Sequence, residues 1–289
     1  MERPSILPVP VVPIQAVSWQ QFNSQIAWSE PKMMMRAKKR FGQNFLQDDL
    51  IIDQICASVR HKPGQSLIEI GPGHGILTER LVQKTPDMTI IELDRDLIPN
   101  LRRLLPSTVN IIEADVLTVD FNDFDAPLMI VGNLPYNIST PLLFRLFELG
   151  TRVATMTFML QKEVVDRMGA VPNTKAYGRL SVMAQYHCEI EKLFDVPPTA
   201  FKPAPRVTSA VVQLRPHSQP PHPATDLKTL SDVLVAAFGQ RRKTLRNSLS
   251  SLLTTDQLKK LGIDPSERAE SLTVADYVRC ANLLSQKPS

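Results

Sequence analysis

The 289-residue chain, 43% hydrophobic and 21% charged, is long enough for one α/β domain of roughly 180 to 200 residues and a smaller second one. No run approaches the ~18 apolar residues that span a bilayer, and Cys56, Cys188 and Cys280 are too scattered for a disulfide framework or a zinc site, which fits a reducing, cytoplasmic setting and no metal. The net charge of +4 is uneven: residues 1–199 carry 20 basic and 22 acidic side chains, residues 200–289 carry 13 and 7, so a near-neutral body precedes a basic part suited to phosphates.

Residues 1–35 are proline-punctuated and apolar without a helical or alternating period, and read as a disordered arm; Met33, Met34 and Met35 offer alternative starts. Lys32, Arg36, Lys38, Lys39 and Arg40 then precede FGQNFL, a basic stretch that either contacts phosphates or is a solvated entry segment. Residues 48–60 have the apolar spacing of one amphipathic helix, with Asp48 or Asp49 placed to cap it.

Next comes the stretch on which the rest depends. LIEIGPGHGILT, residues 67–78, is a short apolar strand ending in G-x-G-x-G at Gly71, Gly73 and Gly75 and leading into a helix. Glycines so placed allow positive φ and a close approach by a ligand, although the pattern is short of the full dinucleotide fingerprint and also suits a plain structural turn. A second strand, Met88–Leu93, carries Glu92 21 residues beyond Gly71, where a carboxylate can accept hydrogen bonds from a ribose diol. A helix over 94–105 and a third strand, 109–112, lead to Asp115, either an acceptor for an amino group on a bound base or a turn cap.

The fourth strand, 128–131, delivers Gly132-Asn133-Leu134-Pro135-Tyr136 ahead of a helix, Pro141–Leu149. Asn133 is a neutral acceptor rather than an acid or base, Pro135 stiffens the backbone, and Tyr136 offers a flat face for a base; the bland reading is a rigid turn. A fifth strand, 154–160, and a helix, 161–168, precede a polar loop with Lys175, Tyr177 and Arg179 that suits RNA. Residues 180–188 are of ambiguous period. Phe201, among prolines, either packs over a substrate base or anchors a turn, and residues 209–214 read as a strand. Four prolines in residues 216–225 mark a boundary. Helical patterns follow over 227–238, 243–253, 255–261 and 273–284, with Arg241, Arg242, Lys243 and Arg246 clustered as candidates for backbone phosphates or as a solvated face.

Seven ordered motifs carry a resemblance: FGQNFL (41–46), EIGPGHGILT (69–78), ELDRDL (92–97), NLPYNIST (133–140), KAYGRLSV (175–182), FKPAPRVTSAVV (201–212) and FGQRRKTLRNSL (238–249). Over residues 36–284 the chain resembles the ribosomal RNA adenine N6,N6-dimethyltransferases. The resemblance implies a class I methyltransferase fold, a mostly parallel seven-stranded sheet over about residues 36–217, followed by a small helical RNA-binding domain, 218–289. It implies S-adenosyl-L-methionine as cofactor, with Gln43, Asn44 and Leu46 at the cofactor-side lip, Gly71 at the methionine end and Gly73 beside it in the cofactor-binding loop, Glu92 on the ribose, Asp115 on the adenine amino group and Asn133 between cofactor and target. Leu134, Pro135 and Tyr136 would hold the target adenine. The implied substrate is a pair of adjacent adenines in the 3′-terminal helix of 16S rRNA, dimethylated by a monomer during small-subunit assembly. A 23S rRNA methyltransferase of the resistance type, a DNA adenine methyltransferase and a non-catalytic assembly factor are the alternatives; the basic helix 238–249, Asn133 and the intact cofactor motifs respectively count against them.

Overall fold

The computed structural model describes residues 44–240 and 242–286. The arm, the basic run 32–40, Gln43 and Arg241 therefore lie outside the described residues.

In chain order the elements are β1 (Phe45–Leu46), α1 (Asp49–Ser58), β2 (Ser66–Ile70), α2 (Ile76–Leu81), β3 (Thr89–Glu92), α3 (Ile98–Leu104), β4 (Asn110–Glu113), β5 (Leu128–Asn133), α4 (Ser139–Glu148), β6 (Val153–Gln161), α5 (Lys162–Met168), α6 (Arg179–His187), β7 (Cys188–Val196), β8 (Phe201–Lys202) and β9 (Ser209–Pro216). Four helices complete the chain: α7 (Leu227–Gly239), α8 (Leu245–Ser248), α9 (Thr255–Lys260) and α10 (Val274–Ser285).

The main sheet has seven strands in the order β4-β3-β2-β5-β6-β9-β7. Its first five are parallel, while β9 runs antiparallel to both β6 and β7. Strand alternation sorts the core into two layers. Ile68, Ile70, Leu128 and Ile130 face one cluster with α4; Leu67, Ile90, Met129 and Val131 face another with α1, α2 and α3. A strand buried on both faces has no polar side to show, which is why β5 opens as a continuous apolar run and β2 is apolar from Leu67 to Ile70 but for Glu69.

Chain order reverses direction across the sheet between β2 and β5: β3 and β4 build outward on one side, β5 and β6 on the other. That switch point leaves a crevice beyond the two carboxyl ends, where ligands of open α/β sheets bind. Gly71 follows β2 and Asn133 closes β5, so the sheet brings together the two stretches singled out by sequence. Gly132 makes the approach possible. A Cβ at Gly132 would lie 2.5 Å from the Ile70 carbonyl oxygen, a distance no side chain tolerates.

Local signals explain most element ends. Asp48 caps α1, its Oδ1 accepting from the amides of Leu50 (3.0 Å) and Ile51 (3.2 Å). The helix expected from residue 94 starts at Ile98, where Pro99 suits the first turn. The ambiguous stretch 180–188 is helical as far as His187, and the strand that begins at Cys188, β7, had no sequence signal because its charged residues face solvent at the sheet edge. The continuous helix expected over 243–253 is only α8; an isolated bridge between Thr244 and Arg268 ties its start to the 260s segment.

The C-terminal helices share a core with the sheet's flank. Leu230, Val233, Leu234, Tyr277 and Cys280 pack in one cluster with Tyr177, Val182 and Tyr186. The proline-rich segment between them is held by side chains: the Ala224 amide donates to Tyr186 Oη (3.1 Å), the Thr225 amide to Asn282 Oδ1 (2.7 Å), and Asn282 Nδ2 to the Pro223 carbonyl (3.1 Å).

Gly132→Ala should destabilise the protein by about 1–3 kcal/mol, the usual cost of overpacking, and weaken cofactor binding with it. Thermal melting of the variant with an unchanged midpoint would show that β2 and β5 can separate freely.

Candidate cofactor and substrate site

The cavity at the switch point is lined by Asn44, Phe45, Leu46, the segment Glu69–His74 with Ile76 and Leu77, Ile91–Leu93, Ala114–Val116 and the turn 133–138. Three carboxylates, Glu69, Glu92 and Asp115, belong to this lining, and no lysine or arginine does among the described residues. Such a wall disfavours phosphates and favours a cation or hydroxyl donors.

The glycine loop is held from below by Glu92. Its Oε2 accepts from the Gly73 amide (3.1 Å) and its Oε1 from the Asp94 amide (2.8 Å). The side chain is buried, and burial raises its pKa above the usual carboxylate range while the two amides pull it back. Gly71, Gly73 and Gly75 all have positive φ, at 67°, 59° and 84°. Gly73 is also packed closely: a Cβ there would meet the Phe45 ring at 3.3 Å. Phe45 lies against His74 as well, with ring centroids 4.2 Å apart.

Phe45 and Leu46 form a lip over the loop. β1 pairs antiparallel with β8, Leu46 opposite Phe201, and the Gln47 amide donates to the Ala200 carbonyl (2.8 Å). Asn133 Nδ2 donates to the Asn44 carbonyl (3.3 Å), so the lip also touches the end of β5. The turn after β5 is fixed at several points. The Leu134 amide donates to the Met159 carbonyl (3.1 Å), the Ile138 amide to the Pro135 carbonyl (3.2 Å), and Ser139 Oγ to the Tyr136 carbonyl (3.1 Å). Tyr136 Oη and Ser209 Oγ share a hydrogen bond of 3.0 Å.

Of the residues expected at the site, Asn44, Leu46, Gly71, Gly73, Glu92, Asp115, Asn133, Leu134, Pro135 and Tyr136 all line this one cavity. Asp115 has the turn-cap bond, its Oδ1 accepting from the Leu117 amide (2.9 Å), and it also lines the cavity. Phe201 departs from expectation. It is 6% exposed, packs in the α1–α3 core layer and is not part of the cavity lining, because pairing with β1 turns it inward behind Leu46. Tyr177 likewise is not a surface ring: it is 1% exposed and packs near Phe238. Arg179 sits 4.7 Å over the Phe144 ring. Arg242, Lys243 and Arg246 are exposed and lie away from the cavity lining.

Sequence reasoning passed over Glu69, Leu93 and Ser209. Glu69 is 1% exposed, lines the cavity and accepts from Thr78 Oγ1 (2.6 Å); burial pushes its pKa up to about 7. Its signal was the one acid inside the apolar run of β2.

Comparison with known proteins agrees with this geometry. The family model for ribosomal RNA adenine dimethylase matches residues 34–286. The chain is 52% identical over 258 residues to "Ribosomal RNA small subunit methyltransferase A" of Photorhabdus laumondii, covering 87% of this chain and 95% of that one. A dimethyladenosine transferase from Plasmodium falciparum shares the fold, with a TM-score of 0.69 at 24% identity over 82% of this chain and 95% of the other. The 23S rRNA methyltransferase ErmE gives a TM-score of 0.63 at 26% identity over 84% and 100%. The cavity suits S-adenosyl-L-methionine: a positive-φ glycine loop, a buried carboxylate beneath it and an acid-rich wall accommodate a ribose diol and a cationic sulfonium. The chain belongs to the ribosomal RNA adenine dimethylase family, methyltransferases that use S-adenosyl-L-methionine.

Proposed function

We propose that the protein transfers methyl groups to N6 of two adjacent adenines in the 3′-terminal helix of 16S rRNA, giving N6,N6-dimethyladenosines during small-subunit biogenesis. The observation that carries this reading is the meeting of the glycine loop and the Asn133–Tyr136 turn on one cavity. The small-subunit assignment is supported by 52% identity to relatives named for that subunit, against 26% to the 23S enzyme.

In this reading Gln43, Asn44 and Leu46 form the cofactor lip, Gly71 and Gly73 receive the methionine end, Glu92 takes the ribose hydroxyls and Asp115 the adenine amino group. Bound there, S-adenosyl-L-methionine supplies an electrophilic methyl on a sulfonium. The chain's own residues prepare the nucleophile. The N6 lone pair of adenine is delocalised into its ring. An amide oxygen that accepts from N6–H favours a more tetrahedral nitrogen with its lone pair directed at the methyl. Asn133 meets this need because its Nδ2 is committed to the Asn44 carbonyl, which orients the amide and leaves Oδ1 as acceptor. A backbone carbonyl of the Leu134–Pro135 turn serves as the second acceptor, the Pro135 oxygen keeping one lone pair beside its bond from the Ile138 amide. Tyr136, held by Ser209, offers its face to the unstacked base, worth ~1–3 kcal/mol. No general base acts first: the proton leaves once nitrogen is cationic, which is why the turn presents neutral acceptors.

Phe201 serves this site indirectly, by backing Leu46 and the lip. Residues 218–289 act as the rRNA-binding part, with Arg241, Arg242, Lys243 and Arg246 on backbone phosphates, in a monomeric cytoplasmic enzyme. Among the described residues no helix is long and apolar enough to cross a membrane.

Asn133→Ala should bind labelled cofactor within a few-fold of wild type and lose at least ~100-fold in methyl transfer; near-normal dimethylation by the variant would remove Asn133 from the chemistry. Replacing Arg241, Arg242 and Lys243 together with alanine should weaken particle binding and reduce the slope of log affinity against log salt by about 2 to 3. An unchanged slope would place the cluster in solvent.

A further inference from the structure

The helix that starts after the Asn133–Tyr136 turn, α4, also reaches the opposite wall of the cavity. At its first residue Ser139 Oγ donates to the Tyr136 carbonyl (3.1 Å). Further along, Arg145 Nη2 donates to the Val119 carbonyl (3.0 Å) and Nη1 to the Val116 carbonyl (3.4 Å). Both carbonyls belong to the turn after β4 that carries Asp115, and Ala114, Asp115 and Val116 line the cavity. Arg145 does not.

Packing explains why the side chain lies there. Leu142, Leu143 and Leu146 of α4 are buried in one cluster with Val116 and Phe121, so the turn rests on the helix. Arg145 is half-buried beside that face. Its aliphatic stem covers apolar surface, and its planar fork offers donors at fixed angles to two carbonyls of one turn. The hydrogen bonds within the turn run to Asp115: the Thr118 amide and Oγ1 donate to its carbonyl (2.8 Å each), and the Leu117 amide donates to its Oδ1 (2.9 Å). On the near side of Asp115 the Ala114 amide is fastened to the Glu92 carbonyl (3.1 Å). Arg145 fastens the far side, so the carboxylate stands between two fixed points.

We infer that Arg145 is a positioning residue for the adenine end of the cofactor: by fixing residues 116–119 it aims the Asp115 oxygen not used by Leu117 at the adenine amino group. The inference rests on the reading of Asp115 given under the proposed function. With the turn held, the carboxylate is preorganised and binding has little left to order; with the fork removed, the turn gains freedom that binding must take away. The loss therefore falls on one hydrogen bond and not on the whole cofactor. Arg152, just beyond α4, makes a similar clasp, its Nη2 donating to the Asn122 (3.3 Å) and Phe124 (2.8 Å) carbonyls, and neither of those residues lines the cavity.

Titration calorimetry with S-adenosyl-L-homocysteine, and with its analogue carrying hydrogen in place of the adenine amino group, separates positioning from general stability. Wild type should favour the amino ligand about ten-fold, the worth of one hydrogen bond. Arg145→Met should bring that ratio to within about two-fold of unity while binding the amino-free analogue as wild type does, and Asp115→Ala should do the same. Arg152→Met should keep the wild-type ratio, because its clasp lies off the cavity. Arg145→Lys, which keeps the charge but not the fork, should fall between wild type and Arg145→Met, and covers the case in which the latter fails to fold. A wild-type ratio in Arg145→Met, or in Arg145→Lys where only that variant folds, or equal weakening of both ligands, would overturn the inference. A wild-type ratio near one, or a preference retained in Asp115→Ala, would instead remove Asp115 from the amino group, and with it the reading on which the inference depends.

Discussion

The site depends on how closely two parallel strands approach at their carboxyl ends. Ile70 and Gly132 lie side by side where β2 and β5 part, with room for a hydrogen atom but not a methyl group at position 132. Everything that follows each strand starts from that point. The glycine loop turns one way and is tied from below by Glu92 through the Gly73 amide. The Asn133 turn leaves the other way and is tied by Met159, Ser139 and Ser209. Neither stretch makes a site alone; the sheet's reversal of strand order makes one cavity of both.

A second layer of organisation closes that cavity from above. Residues 44–47 lie outside the seven-stranded sheet and its helices, and their position is set by contacts at long sequence distance: β8 paired with β1, the Gly73 loop against Phe45, and the Asn133 amide against Asn44. The same hydrogen bond from the Asn133 side chain that locates the lip also orients Asn133, so the order of the lip and the readiness of the proposed acceptor are one property. This economy explains why a neutral asparagine suits the position: it donates to the chain with one end and keeps an acceptor with the other.

Much of this was legible in the sequence because it rests on local rules. Glycines at spacing two, an acid 21 residues later and a proline-stiffened turn after an apolar run each have a short-range physical cause. What was not legible arises from contacts between distant segments. Phe201 has the composition of an exposed ring between prolines, and only its pairing with Leu46 shows that it faces inward. Tyr177 and Arg179 look like an RNA-facing pair until α7 and Phe144 cover them. β7 alternates poorly because it is an edge strand with charged residues, including Lys192 and Asp195, paired across its surface. Glu69 is visible in the sequence as the acid at the end of an apolar run, but its burial and its bond from Thr78 depend on how α2 packs over the strand.

The backbone shared with the 23S rRNA methyltransferase ErmE means that the fold alone does not name the RNA. The most direct test of the account is to incubate the protein with labelled S-adenosyl-L-methionine and separated unmodified small and large ribosomal subunits, then map the labelled bases. The account predicts label confined to the small subunit, as N6,N6-dimethyladenosine at two adjacent adenines near the 3′ end of its rRNA. Label on 23S rRNA, or on a single scattered adenine, would contradict it.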